Sequence, residues 1–146
     1  MTWIRQKLAA CGDRIACYEA GKAWSYAEFI KLIDHAATQV CSKGAAVIEV
    51  QAPTTIEGLA MLLAIGETGH IALPLPPELP EAEQDKMRLI ANSSQLYNQL
   101  EGSGLVLFSS GTSGEPKGML HNLDALLGRY KYLSARKDCS LLLLLI

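Results

Sequence analysis

Two short apolar runs, residues 45–50 and 71–75, flank one amphipathic segment, and this spacing constrains the fold more than any other feature of the chain. The first run contains Val47, Ile48 and Val50, β-branched residues that suit a buried parallel strand. Pro53 breaks it. Thr54 and Glu57 have capping-box spacing and open a helix whose apolar positions, Ile56, Leu59, Ala60, Leu63 and Ala64, hold one face until Gly69. A strand, a helix and a second strand in one sheet make a right-handed parallel crossover. The expected class is therefore α/β, with helices flanking a mainly parallel sheet.

The flanking sequence fits that frame. Residues 14–18 read as a strand, Gly21-Lys22 as a turn and Ala23-Trp24 as a return strand. Ser25 and Glu28 form a capping box, with Trp24 and Phe29 at the positions of a hydrophobic staple. Phe29, Ile30, Ile33, Ala36, Ala37 and Val40 then mark the core face of a helix that stops at Lys43-Gly44. A third helix is expected over residues 80–92, with Pro80 in the first turn and Glu81, Glu83 and Asp85 complementing the helix dipole. Asn122 is placed to cap a last helix patterned by Leu123, Leu126, Leu127 and Tyr130.

Composition excludes some functions. At 146 residues with 49% hydrophobic content the chain suits one globular domain. A net charge of −2 and no basic cluster argue against nucleic acid as a main partner. Leu8-Ala9-Ala10-Cys11 resembles a lipoprotein cleavage box, but Arg5, Gln6 and Lys7 precede it, so it reads as helix. The apolar run 141–146 is far shorter than the roughly twenty residues a membrane helix needs. It reads as a buried strand, and no integral membrane segment is expected. Cys11, Cys17, Cys41 and Cys139 lack C-x-x-C spacing and read as reduced core thiols of a cytoplasmic protein, with a zinc site or a disulfide as the alternative.

The chemistry concentrates between Phe108 and Gly118, where an apolar strand runs into Ser109-Ser110-Gly111-Thr112-Ser113-Gly114-Glu115-Pro116-Lys117-Gly118. Gly111, Gly114 and Gly118 can aim backbone N–H groups into one concavity without a Cβ in the way. Ser109, Ser110, Thr112 and Ser113 add donors, and Lys117 adds a mobile point charge suited to polyphosphate. The nucleoside triphosphatase loop G-x-x-x-x-G-K-[ST] does not fit, because Pro116 precedes Lys117 and Gly118 follows it. A dinucleotide fingerprint fails for want of a third glycine at the required offset.

Residues 109–118 match every specified position of [ST]-[ST]-G-[ST]-[ST]-G-x-P-K-G, and on them the chain resembles the adenylate-forming enzymes: acyl-CoA synthetases, peptide-synthetase adenylation domains and luciferases. The order of elements before the loop is similar to the opening of that family. The resemblance implies that residues 1–146 are a truncated N-terminal part of the large adenylation domain. It implies ATP and Mg2+ as cofactors, a carboxylic acid as substrate, and CoA or a phosphopantetheine thiol as acceptor. Ser109, Ser110, Gly111, Thr112, Ser113, Gly114, Lys117 and Gly118 would hold the β- and γ-phosphates, with Lys117 as the phosphate-stabilising candidate and no residue assigned as catalytic. His121 is a candidate for the substrate pocket, against a structural role in the turn before the last helix.

The chain also departs from the family. Only residues 93–104 separate the third helix from the signature, fewer than in complete members. The aromatic-Gly-x-Thr-Glu and Thr-Gly-Asp segments are absent, Thr68-Gly69-His70 lacking the carboxylate, and no magnesium ligand or lid lysine is identified. With an end inside an apolar run, the expectation is the front portion of a longer ligase, inactive alone. The alternatives are a non-catalytic nucleotide- or anion-binding module and a domain whose Gly/Ser loop is a connector.

Overall fold

The computed structural model describes residues 2–43, 46–93, 102–110 and 116–133. The expectations for Cys139 and for the run 141–146 fall outside them, as do Gly111, Thr112, Ser113 and Gly114. In chain order the elements are α1 (Thr2–Cys11), β1 (Ile15–Glu19), β2 (Lys22–Ser25), α2 (Tyr26–Lys43), β3 (Val47–Gln51), α3 (Ile56–Glu67), β4 (Ile71–Leu75), α4 (Glu81–Ala91), β5 (Gly104–Ser110), β6 (Pro116–Asn122) and α5 (Leu123–Leu133).

Strands β1 and β2 form an antiparallel hairpin, with Ala20 at φ 49° and Gly21 at φ 80° in the turn. Two positive φ values in succession are what a tight hairpin turn requires. The hairpin leads into α2 through the capping box: Ser25 Oγ accepts the Glu28 N–H at 3.1 Å, and Glu28 Oε2 accepts the Ser25 N–H at 2.8 Å. Trp24 packs against the cluster that contains Phe29, as a staple would.

The main sheet has the order β3-β4-β5-β6. Pairs β3–β4 and β4–β5 are parallel, and β5–β6 is antiparallel. Ile48, Val50 and Ala72 on one face meet Val40 of α2 and Ile65 of α3. Ile71, Leu73, Leu75 and Val106 on the other meet Ala91 of α4. A further cluster joins Ile4 and Leu8 of α1, Phe29 and Ile33 of α2, Leu63 of α3 and Leu127 of α5. Full burial of one such side chain contributes about 1.5–3 kcal/mol, so these seams hold the helices on the sheet.

Four local expectations are corrected. The strand expected to be wholly buried is the sheet's edge strand β3, with Glu49 and Gln51 exposed between buried Ile48 and Val50. The cap of α3 is Thr55, one residue later than expected: its Oγ1 accepts the Gly58 N–H at 3.0 Å. Thr55 also donates from that hydroxyl to Ala52 O at 2.8 Å, which fixes it as the turn residue. Pro80 is the N-cap of α4, with extended ψ 141°, and the helix begins at Glu81. Cys41 is exposed on the outer face of α2, so it is no core thiol.

Candidate functional site

The parallel strands β3, β4 and β5 end on one side of the sheet, the side where ligands sit in open α/β folds. Two anion-attracting features lie there. One, the N-terminus of α3, is already filled. Glu19 reaches across from β1, and its Oε1 accepts the Ile56 N–H at 2.8 Å. Thr55 Oγ1 satisfies the Gly58 N–H, and a carboxylate at this helix end repels a phosphate by like charge.

The other is the end of β5. Sequence reading placed Ser109, Lys117 and Gly118 in one loop; the structure puts them in a β-hairpin instead, because Pro116 through Asn122 pair with β5 as strand β6. Ser110 pairs with Pro116, Ser109 with Lys117 and Phe108 with Gly118. Alternation along the strands sends Ser109 and Lys117 to the same face, and both are exposed. Lys117 has no ion pair among the described residues, so its ammonium is available to an external anion. Ser109 sets a hydroxyl beside it. The described residues contain no group of three or more His, Cys, Asp or Glu able to hold a metal ion.

Gly118 carries a packing constraint that its place in the motif does not show. It lies in regular strand, facing α4 rather than Lys117's side of the sheet. A Cβ there would meet Ile90 Cγ2 at 2.8 Å and Phe108 Cε1 at 3.2 Å. Packing against Ile90 and Phe108 is therefore a reason for glycine at 118.

His121 also moves. It was expected in the turn before the last helix; it sits within β6, paired with Leu105. It lies four positions along the strand from Lys117 on the same face, about 13 Å at strand rise. Its neighbour Leu105, with Leu59, Leu62, Leu63, Leu123 and Leu127, walls an apolar cavity of about 110 Å³. Thr68-Gly69-His70 is a helix stop: Thr68 Oγ1 donates to Ala64 O at 2.9 Å, and Gly69 takes φ 78°.

No family model matches the chain. It is similar to CymA of Salinispora arenicola, named a probable non-canonical nonribosomal peptide synthetase, at 24% identity over 137 residues, 80% of this chain and 2% of CymA. Among solved structures it resembles the N-terminal subdomain of Klebsiella oxytoca NpsA in complex with 3-hydroxyanthranilyl-AMSN, with TM-score 0.63 and 20% identity over 80% of this chain and 39% of that one. The o-succinylbenzoate CoA synthetase MenE of Bacillus subtilis, in complex with the acyl-adenylate intermediate OSB-AMP, aligns with TM-score 0.68 and 15% identity over 94% of this chain and 46% of MenE. The fold is that of the N-terminal portion of an adenylate-forming enzyme. The chain spans less than half the length of these relatives. In this fold the described residues of the 109–118 motif, Ser109, Ser110 and Pro116–Gly118, lie at the adjoining ends of β5 and β6. No described helix is long and apolar enough to cross a membrane.

Two features had no local signal in the sequence. Glu19 caps a helix 37 positions away, and Gly118 is fixed by a residue of α4.

Proposed function

We propose that residues 1–146 are part of the large domain of an ATP-dependent carboxylate-activating ligase, with the hairpin at 109–118 holding the β- and γ-phosphates. The observation that carries this reading is the exposed Ser109–Lys117 pair at the end of β5, in a segment that matches the signature at every specified position. A cation beside a hydroxyl, with glycine-rich sequence between them, fits a triphosphate tail.

In the proposed reaction a substrate carboxylate oxygen attacks the α-phosphorus of ATP, and the bond to the β-phosphate oxygen breaks. The products are an acyl adenylate and pyrophosphate. A thiol, from CoA or from phosphopantetheine on a carrier protein, then takes the acyl group and releases AMP. Lys117 holds the leaving pyrophosphate and stabilises the charge that accumulates on it. Magnesium, arriving with the nucleotide, would supply further neutralisation. Ser109 and Ser110, with Thr112 and Ser113, would orient the oxygens. His121, beside the leucine-walled cavity, is the proposed contribution of this region to the acyl pocket.

The test is carboxylate-dependent ATP–pyrophosphate exchange, measured for this chain and for a gene-extended protein. Exchange is expected in the extended protein, abolished by Lys117→Ala, and absent in the 146-residue chain. No exchange in the extended protein with any of a panel of carboxylic acids would overturn the ligase reading and favour a nucleotide-binding module.

A further inference from the structure

Helix α4 touches the sheet at both sides. Near β3, Arg88 Nε donates to Glu49 Oε1 at 2.9 Å and Arg88 Nη2 to Glu49 Oε2 at 3.3 Å. Its Nη1 donates to Asp85 Oδ1 at 2.7 Å, which steadies the guanidinium on its own helix. Toward β6, Ile90 packs where a Cβ on Gly118 would stand, its Cγ2 only 2.8 Å from that position. Ala91, the buried residue of α4, enters the core between these contacts. The helix thus spans the sheet from its edge strand to the strand that carries Lys117.

We propose that Ile90 and Gly118 form a positioning contact: α4 seats on the bare backbone of Gly118 and so fixes the place from which Lys117 and Ser109 present their side chains on the opposite face. The proposal rests on the phosphate-binding reading of the hairpin for its consequence, but its geometry does not depend on that reading. Three observations carry it. Gly118 adjoins Lys117 and pairs with Phe108, the residue before Ser109, so a displacement at 118 moves both presenting residues. The obstructing atom is a β-branch methyl on a helix, held to one χ1 rotamer and unable to swing aside. Phe108 closes the other side, its Cε1 at 3.2 Å from the same point, so an added methyl shifts either the helix or the hairpin.

The compensating change follows from the same atom. Ile90→Leu removes Cγ2 while conserving volume and improving helix propensity, so it vacates the space that Gly118→Ala fills. Two readouts are taken on the full chain: amide hydrogen exchange at Phe108, Ser109, Lys117 and Gly118 without ligand, and affinity for inorganic pyrophosphate by calorimetry. Gly118→Ala is expected to speed exchange at these amides and weaken pyrophosphate binding roughly tenfold, and Gly118→Ala with Ile90→Leu to restore both. If Gly118→Ala does not fold, Ile90→Ala replaces it, since it removes the support from the helix side and is expected to move both readouts in the same direction. A lowered melting temperature with unchanged exchange and affinity would overturn the contact's positioning role, as would failure of Ile90→Leu to rescue. If the unsubstituted chain does not bind pyrophosphate, the phosphate reading fails, and exchange with its rescue still decides whether α4 positions the hairpin.

Discussion

Glu19 on β1 accepts the backbone N–H of Ile56 on α3 at 2.8 Å, tying the small N-terminal hairpin to the first turn of a helix that packs on the main sheet. The carboxylate complements the helix dipole and satisfies one of its orphan donors. Glu19→Ala is expected to lower stability by about 1–2 kcal/mol, read as a shift in the urea unfolding midpoint. Glu19→Gln keeps an acceptor oxygen and is expected to lose less. Equal losses for the two variants would mean that charge, not the hydrogen bond, is what counts there.

Glu28 gives a pH dependence with a definite sign. Its hydrogen bonds from the Ser25 N–H and hydroxyl, helped by the nearby charges of Lys22 and Lys31, hold its carboxyl below the usual carboxylate range. The unfolded chain therefore binds the proton first as pH falls. The stabilisation is fully present above the ordinary glutamate range and is lost as pH drops through the lowered folded value. Melting temperature measured from neutral pH downward is expected to fall less steeply for Glu28→Gln, which keeps the capping-box geometry without a titrating group. Identical acid limbs would contradict this.

Two glycines make opposite predictions. A Cβ on Gly58 would run into Ala52 O and stand 2.9 Å from Pro53 Cα, both backbone atoms that cannot yield without moving the β3–α3 turn. Gly58→Ala is expected to destabilise by about 1–3 kcal/mol or more, as overpacking against rigid atoms does. Gly128, within α5, has nothing within 4 Å of its Cβ position. Gly128→Ala is expected to stabilise by about 0.5–1 kcal/mol through helix propensity and reduced unfolded-state freedom. Thermal unfolding of the two variants side by side separates these effects.

The fold was legible where its cause is local. Ser25 and Glu28 are three residues apart, and their box appears in the structure as read; the same holds for Asn122, whose Oδ1 accepts the Ala125 N–H at 2.8 Å. It was less legible where sheet position decides. Residues 45–50 read as fully buried because most of them are apolar, yet β3 lies at the edge, where Glu49 can reach Arg88 in solvent. Thr54 and Thr55 are both fitting caps, and the choice between them is made by the turn through Ala52, whose φ of 46° no local pattern announces. Strand β6 was missed because Pro116 and Gly118 read as breakers. Pro116 is tolerated at the first position of a strand, and Gly118 is demanded by Ile90 of α4. The signature match was read from sequence alone, but that Lys117 and Gly118 face opposite sides of the sheet follows from their places in β6.

The most direct test of the central claim is calorimetric titration of MgATP into the full chain and into Lys117→Ala, with melting temperatures measured on the same samples. Lys117 is exposed and unpaired among the described residues, so its removal is expected to leave the melting temperature unchanged while weakening MgATP binding roughly tenfold or more, the scale of one charge-assisted contact. Equal affinity in the two proteins, or a loss of affinity that only accompanies unfolding, would contradict the assignment of the β5–β6 hairpin as the phosphate site.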